Sequence, residues 1–286
     1  QLPKDFYLSK DIEMYSKRIE ANEHSFFIHG RAGTGKSTFI NYYRNISKKK
    51  VIVLTFTGIA SVNSKGKTIH SLFKFPPRLI NNSDIKPLPP YMKHIGVIII
   101  DEISMVRADL LDAMDVSLRK SRNSDMPFGG VQMVFIGDMF QLSPVMMDQE
   151  QNIIKQRYPE GPWFFNSHAY KRLDKEPLFF DEIYRQRDTV FKRALESIRE
   201  NKISDKLLAY FNKRVEAFDK IPKDVMVLAP TNRRTNQINI KKLNSLQSQE
   251  FEYNAKVWGG FPDKYMPTDK LLKLKVGAQI MMVKNG

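Results

Sequence analysis

Residues Gly30-Arg-Ala-Gly-Thr-Gly-Lys-Ser37 follow the spacing G-x-x-x-x-G-K-S, and this octet constrains the fold more than any other part of the chain. Such a loop works only where a buried strand ends and a helix begins. The sequence supplies both: the apolar run Ser25-Phe-Phe-Ile-His29 reads as a strand, and Thr38-Phe-Ile-Asn-Tyr-Tyr-Arg44 reads as a helix. The glycines let backbone N–H groups curl around phosphates, and the helix N-terminus adds the positive end of its dipole. Gly33, Thr34, Gly35, Lys36, Ser37 and Thr38 are therefore the candidate nucleotide contacts. Lys36 can reach the β- and γ-phosphates, and the Ser37 hydroxyl can hold Mg²⁺. ATP and Mg²⁺ are the expected cofactors. A chance glycine-rich turn is the weaker reading.

Three more short apolar runs, Val51–Thr55, Val97–Ile100 and Val131–Ile136, are separated by helical patterns at about 38–45 and 105–122. Strands alternating with helices imply an α/β fold with a parallel sheet covered by helices. An opening helix carries Ile12, Tyr15 and Ile19 at three- and four-residue steps. Residues 63–93, with Pro76, Pro77, Pro87, Pro89 and Pro90, break the alternation and read as a small insertion on a first domain spanning 1–150. A second alternating unit is expected within 151–286: strand Pro177–Asp181, helices Val190–Arg199 and Ser204–Val215, strand Val225–Ala229, helix Arg233–Leu246, and a strand pair in Leu272–Val283. The chain begins at Gln1 rather than Met and ends in mid-pattern at Gly286, so it reads as part of a longer protein.

The formal net charge is +15, which favours a polyanionic partner, most simply nucleic acid. Basic residues on ordinary-looking helices, such as Lys192, Arg193 and Arg199, read as solvated. No apolar stretch is long enough to span a bilayer, so no membrane partner is expected. There is no cysteine, which excludes disulfides and thiolate metal sites and fits an intracellular protein.

Val97-Ile-Ile-Ile-Asp101-Glu102 has the form of a Walker B strand. Asp101 would hold Mg²⁺, and Glu102 would orient and polarise the attacking water, which points to hydrolysis rather than transfer to a small acceptor. An acidic pair after a strand can also be a simple helix cap. In Phe135-Ile-Gly-Asp138-Met-Phe-Gln141-Leu-Ser-Pro144-Val, Gln141 could sense the γ-phosphate and Asp138 could bridge to the metal shell. A plain turn is an equal reading of that stretch from local chemistry alone.

Gly-Asp-x-x-Gln-Leu-x-Pro-Val, with Asp101-Glu-Ile-Ser-Met-Val106 upstream, resembles the Pif family of superfamily 1 DNA helicases, relatives of RecD. Thr55-Phe-Thr-Gly-Ile-Ala-Ser61 resembles helicase motif Ia, and Gly66-Lys-Thr-Ile-His-Ser-Leu-Phe73 resembles a further family segment. So do Ser104–Arg122, Tyr184-Arg185-Gln186, Leu228-Ala-Pro-Thr-Asn232 and Leu274–Asn285. The resemblance runs from about residue 25 to the end. It implies two RecA-like domains with parallel sheets, the second incomplete, and ATP in the cleft between them. Arg185 would then reach across from the second domain to the γ-phosphate. The helix before Ser25 lacks the Gln that the family often uses to read adenine.

The resemblance also implies a track for single-stranded DNA, with contacts from Thr57, Gly58, Lys65, Lys67, His70 and Phe73 on the first domain and Thr231 and Asn232 on the second. Cations interleaved with aromatics suit single strands, because charges hold the backbone and rings stack on bases. Phe73 as core and His70 as a structural histidine are equally open from the residues. Trp163, Phe164 and Phe165 read as core rather than platform. The function implied is an ATP-dependent DNA helicase that moves 5′→3′ on single strands and unwinds forked or structured DNA, monomeric without DNA. The 63–93 insertion could carry the wedge that parts the duplex. The alternatives are a single-strand-binding ATPase switch that does not unwind, and a small-molecule P-loop kinase.

Overall fold

Four hydrophobic strands and two less obvious ones build the sheet that carries the phosphate loop. The computed structural model describes residues 8–217, 220–222, 225–257, 266 and 268–281. They divide into two units, with the boundary between Lys202 and Ile203. The first contains α1 (Lys10–Ala21), β1 (Ser25–Gly30), α2 (Lys36–Ile46), β2 (Val51–Thr55), α3 (Gly58–Asn63), β3 (Lys67–Thr68), α4 (Ile69–Phe73), β4 (Val97–Asp101), α5 (Ala108–Arg122), β5 (Gln132–Gly137), α6 (Asp148–Arg157), α7 (His168–Arg172), β6 (Lys175–Phe180) and α8 (Thr189–Arg199).

The six strands run parallel in the order β3-β2-β4-β5-β1-β6. Both faces are covered, as a parallel sheet requires. Alternation along the strands sorts the side chains. Phe26, Ile28, Val97, Ile99, Val134 and Ile136 pack with α1 and α2 on one face. Ile98, Ile100, Met133 and Phe135 pack with α5 on the other. The opening helix falls where the periodicity puts it, with Ile12, Tyr15 and Ile19 buried, and Ser9 caps it by accepting the Ile12 N–H at 3.3 Å.

Two expectations change. Residues 177–181 do not begin a second unit: β6 pairs with β1 from Ser25↔Lys175 to Gly30↔Phe180, so the first unit runs well past residue 150. The Tyr15 hydroxyl donates to the Phe179 carbonyl at 2.8 Å and fixes β6 further. Residues 63–93 are not outside the sheet either. Lys67 and Thr68 form its edge strand opposite Leu54 and Thr55, and Ile69, Leu72, Phe73, Phe75, Ile80, Leu88 and Met92 belong to the core under α5.

A buried ion network pins this segment. Arg107 donates to Asp109 through Nε and Nη2 (2.8 Å each) and to Glu150 through Nη1 (2.7 Å). The same carboxylates accept the backbone N–H groups of Leu79 (2.7 Å) and Ile80 (3.3 Å). Further along, Leu88 N–H donates to Ser121 Oγ, and Arg122 donates to the carbonyls of Met92, Lys93 and Ile95.

The second unit holds α9 (Asp205–Asn212), α10 (Asn232–Asn244), β7 (Glu250–Asn254) and β8 (Leu271–Lys275). β7 and β8 form an antiparallel pair. Among the described residues this unit has no parallel sheet, and the 225–229 run expected as a strand has no ladder partner. Of the strand pair expected in Leu272–Val283, one strand exists as β8, and its partner is β7 instead; residues 276–281 form no strand, and 282–283 lie outside the described set.

Candidate nucleotide site and nucleic-acid face

The parallel register brings three strand ends together. Phe27 aligns with Phe135, and Phe135 with Ile100, so the loop after β1, Asp101 at the end of β4 and the turn after β5 emerge at one edge of the sheet. The carboxyl edge of such a sheet is where α/β proteins bind ligands.

The phosphate loop has the backbone its glycines allow. Gly33 (φ +81°) and Gly35 (φ +94°) are left-handed, a region costly for other residues. A Cβ on Gly33 would also lie 2.6 Å from Arg185 Cβ. Thr34 is buried, and its hydroxyl donates to the Arg31 carbonyl at 2.9 Å, holding the loop's curve. Lys36, Ser37 and Thr38 open α2, with the Ser37 side chain exposed and Thr38 half-buried. The Lys36 ammonium donates to the carbonyls of Gly30 (2.6 Å) and Arg31 (2.8 Å). Burial holds its pKa below the ordinary lysine value, opposed by Glu102, Asp138 and Asp101, while Arg185 adds to the lowering.

Asp101 is buried, and burial followed by the neighbouring Glu102 raises its pKa to about 6. Its carboxylate is thus an under-compensated charge. Together with the exposed Ser37 hydroxyl it is a hard oxygen donor set of the kind Mg²⁺ takes. Glu102 follows at φ +55°, a strained position of the sort that collects at functional sites, and its N–H donates to Asp101 Oδ1 at 3.0 Å.

The sign of the Asp101 shift gives a stability prediction. A carboxyl pKa raised on folding leaves stability untouched below about pH 4, where folded and unfolded states are both protonated, and costs progressively more as pH rises toward the folded value. Asp101→Asn removes that cost. We expect its thermal midpoint to exceed the wild type's at pH 7.5, by up to roughly 3 kcal/mol of stability, and to match it near pH 4, while hydrolysis is lost. Equal melting at both pH values would show that the buried charge is already compensated.

After β5, Gln141 is exposed, and its N–H donates to the Asp138 carbonyl at 3.1 Å. Asp138 itself is buried and pairs with Arg199 at 3.2 Å. It faces a protein cation rather than standing free toward a metal shell, and Arg199 is correspondingly not a solvated helix charge. The N–H groups of Tyr184 (2.8 Å) and Arg185 (3.3 Å) donate to the Gly33 carbonyl. Arg185 is therefore part of the same unit as the phosphate loop and does not come from the second domain; its side chain is exposed.

The sequence profile of the PIF1-like helicases matches residues 10–207. The chain belongs to the PIF1-like helicase family. It is 34% identical, over 307 aligned positions, to "ATP-dependent DNA helicase PIF1" of Saccharomyces cerevisiae, covering 97% of this chain and 34% of that protein. A Pif1 helicase from Bacteroides solved in complex with ADP-AlF3 and single-stranded DNA superposes with a TM-score of 0.83 at 33% identity, over 95% of this chain and 65% of that one. A structure of DNA unwinding at forked duplex DNA by two coordinating Pif1 helicases gives 0.84 at 34% identity, over 95% and 66%. The chain thus spans about a third of the curated relative and about two thirds of the solved chains.

The residues that the PIF1-like resemblance assigns to DNA fall into distinct groups. Thr57 caps the start of α3 by accepting the Ala60 N–H at 3.3 Å, and Gly58 faces open space. Lys65 and Lys67 are exposed beside them at the sheet edge. His70 is half-buried, edge-on to Phe56 at 5.7 Å. Burial, and then Arg107, lower its pKa below the ordinary histidine value. Phe73 is a correction: it is 1% exposed and stacks on Phe75 at 5.3 Å within the core. Extracting it would forfeit about 1.5–3 kcal/mol of burial, as much as stacking on a base returns. On the second unit Thr231 caps α10 by accepting the Arg234 N–H at 3.3 Å, and Asn232 begins the helix; both are exposed. Of the aromatic triplet only Phe164 is core, while Trp163 and Phe165 are about one-third exposed and stack at 6.0 Å.

Proposed function

We propose that this chain is the nucleotide-hydrolysing part of an ATP-dependent DNA helicase that moves 5′→3′ along single-stranded DNA and separates forked or structured duplex. The observation that supports this most is the convergence of the glycine loop, the Asp101-Glu102 pair and the Gln141 turn at one sheet edge, in a chain of the PIF1-like family. The strand direction rests on the family resemblance alone. The protein acts inside the cell, as a monomer until DNA brings copies together. No helix among the described residues is long and apolar enough to cross a membrane.

In this reading the loop N–H groups and Lys36 bind and orient the triphosphate. Mg²⁺ supplies charge neutralisation at the phosphates, and Ser37 and Asp101 are the residues that would hold it. Glu102 positions the attacking water and polarises it, Gln141 senses the γ-phosphate, and Arg185 stabilises the charge that develops on it. The exposed Thr57, Gly58, Lys65 and Lys67 on the first unit, and Thr231 and Asn232 on the second, contact the strand's phosphates. The direct test measures ATPase with and without saturating single-stranded DNA, and strand separation on a forked substrate. Hydrolysis accelerated by DNA without strand separation would favour the ATPase-switch alternative. Hydrolysis indifferent to DNA would remove the coupling altogether.

The lysine pair makes a second test. Phosphate contacts release counterions, so affinity for a single strand falls with salt at a log–log slope of about −0.7 per contact. Lys65→Ala with Lys67→Ala is expected to flatten that slope by about 1.4 and to weaken binding equally for all sequences. An unchanged slope would take these lysines off the track.

A further inference from the structure

The last turn of α8 reaches into the site without belonging to any of the motifs above. Arg199 lies on it with a side chain only 17% exposed. Its Nη2 donates to Asp138 Oδ1 at 3.2 Å, and its Nε approaches Oδ2 at 3.4 Å, the forked geometry that guanidinium and carboxylate favour. The central carbon of the same guanidinium, Cζ, lies over the Phe140 ring, 4.2 Å from its centre. Asp138 is 2% exposed and uses Oδ1 again to accept the Phe140 N–H at 3.1 Å, while its carbonyl accepts the Gln141 N–H. Arg199 therefore holds both the carboxylate that caps the turn and the ring at its tip, and Gln141 is the next residue on that turn.

Two further contacts tie Arg199 to the phosphate loop. Its Nη2 lies 3.3 Å from His29 Nε2. An arginine can only donate, so that nitrogen accepts, and His29 sits neutral just before the loop. Its Nη1 donates to Glu196 at 3.1 Å, and Glu196 in turn pairs with Arg31 of the loop at 3.4 Å. Two turns earlier on α8, Lys192 donates to the Ile183 carbonyl at 2.8 Å, immediately before Tyr184 and Arg185. A single helix thus touches the loop, the Gln141 turn and the Arg185 segment.

We propose that Arg199 is a positioning residue for hydrolysis: it sets the Gln141 turn against the phosphate loop. This deepens the ATPase reading and rests on it. Arg199 touches no reacting atom, so its effect must pass through Gln141.

The test compares wild type, Arg199→Ala, Arg199→Lys, Gln141→Ala, the Arg199→Ala/Gln141→Ala double variant and Arg193→Ala, in DNA-stimulated ATPase assays with melting curves on each. Wild-type activity tests the ATPase reading itself; its absence would defeat that reading before Arg199 is considered. Given an active wild type, Arg199→Ala is expected to lower kcat about tenfold with KM for ATP within twofold. The double variant should be no slower than Gln141→Ala, because the two residues act as one unit. Arg199→Lys keeps a charge opposite Asp138 but loses the fork and the stack; it should melt like wild type and still lose severalfold in kcat. Arg193, exposed on the same helix, should have no effect when replaced. Normal kcat in Arg199→Lys would overturn the proposal. So would independent, multiplying losses in the double variant.

Discussion

Lys36→Ala is expected to lower ATP hydrolysis by at least about a thousandfold while leaving nucleotide-free DNA binding intact. The ammonium sits among Glu102, Asp138 and Asp101, which favour its charge against the pull of burial, and beside Arg185, which opposes it. Arriving phosphates would replace the carbonyls of Gly30 and Arg31 as its partners and relieve the repulsion from Arg185 at the same time. Alanine removes the one buried cation of the loop and takes the ammonium from both carbonyls; Arg31 keeps the Thr34 hydroxyl as a donor, while the Gly30 carbonyl loses a bond worth about 1–3 kcal/mol where water cannot reach. A melting curve therefore accompanies the assay, to separate lost chemistry from a loosened loop. A folded variant with near-normal ATPase would mean that the nucleotide binds elsewhere.

Arg185→Ala is the second large effect, a fall in maximal rate on the order of a thousandfold with ATP affinity only modestly weakened. Backbone N–H groups at 184 and 185 anchor this segment to the Gly33 carbonyl, and the absence of a side chain at Gly33 lets Arg185 lie directly against the loop. The guanidinium is exposed beside the loop, free to turn to a developing negative charge. Because it stands on the same unit as the loop, it is supplied in cis, and its loss should reduce basal and DNA-stimulated rates alike. If only the stimulated rate falls, Arg185 is part of the response to DNA and not of the phosphate site.

Much of this site was legible because its residues are local. A strand, a glycine loop and a helix start occupy one continuous stretch, and Val97–Asp101 is apolar along its whole length until the carboxylate. What could not be read were the choices made by distant partners. Lys175–Phe180 looks the same whichever sheet it joins, and its pairing with β1 is decided some 150 residues away in the chain. Phe73 sits in a motif associated with DNA but also follows the spacing of an apolar helix face, and only the packing of α4 beneath α5 chooses between them. Arg199 has the sequence surroundings of any solvated helix charge. The only hint was its complement: Asp138, placed at the end of an entirely buried strand, required a cation from somewhere.

The segment between β3 and β4 has a mechanical consequence. It lacks regular structure over most of its length and is rich in proline, the composition of a flap. Yet its ends are built into the two strands that flank β2, and its middle is bolted by the Arg107, Asp109 and Glu150 charges through backbone rather than side-chain groups. A flap hinged at one side yields under load; a beam fixed at both ends and at its centre does not. At its near end the ladder is continuous, Thr68 aligning with Thr55 and Thr55 with Asp101, so two strand pairings join the edge that carries the exposed lysines to the carboxylate at the site.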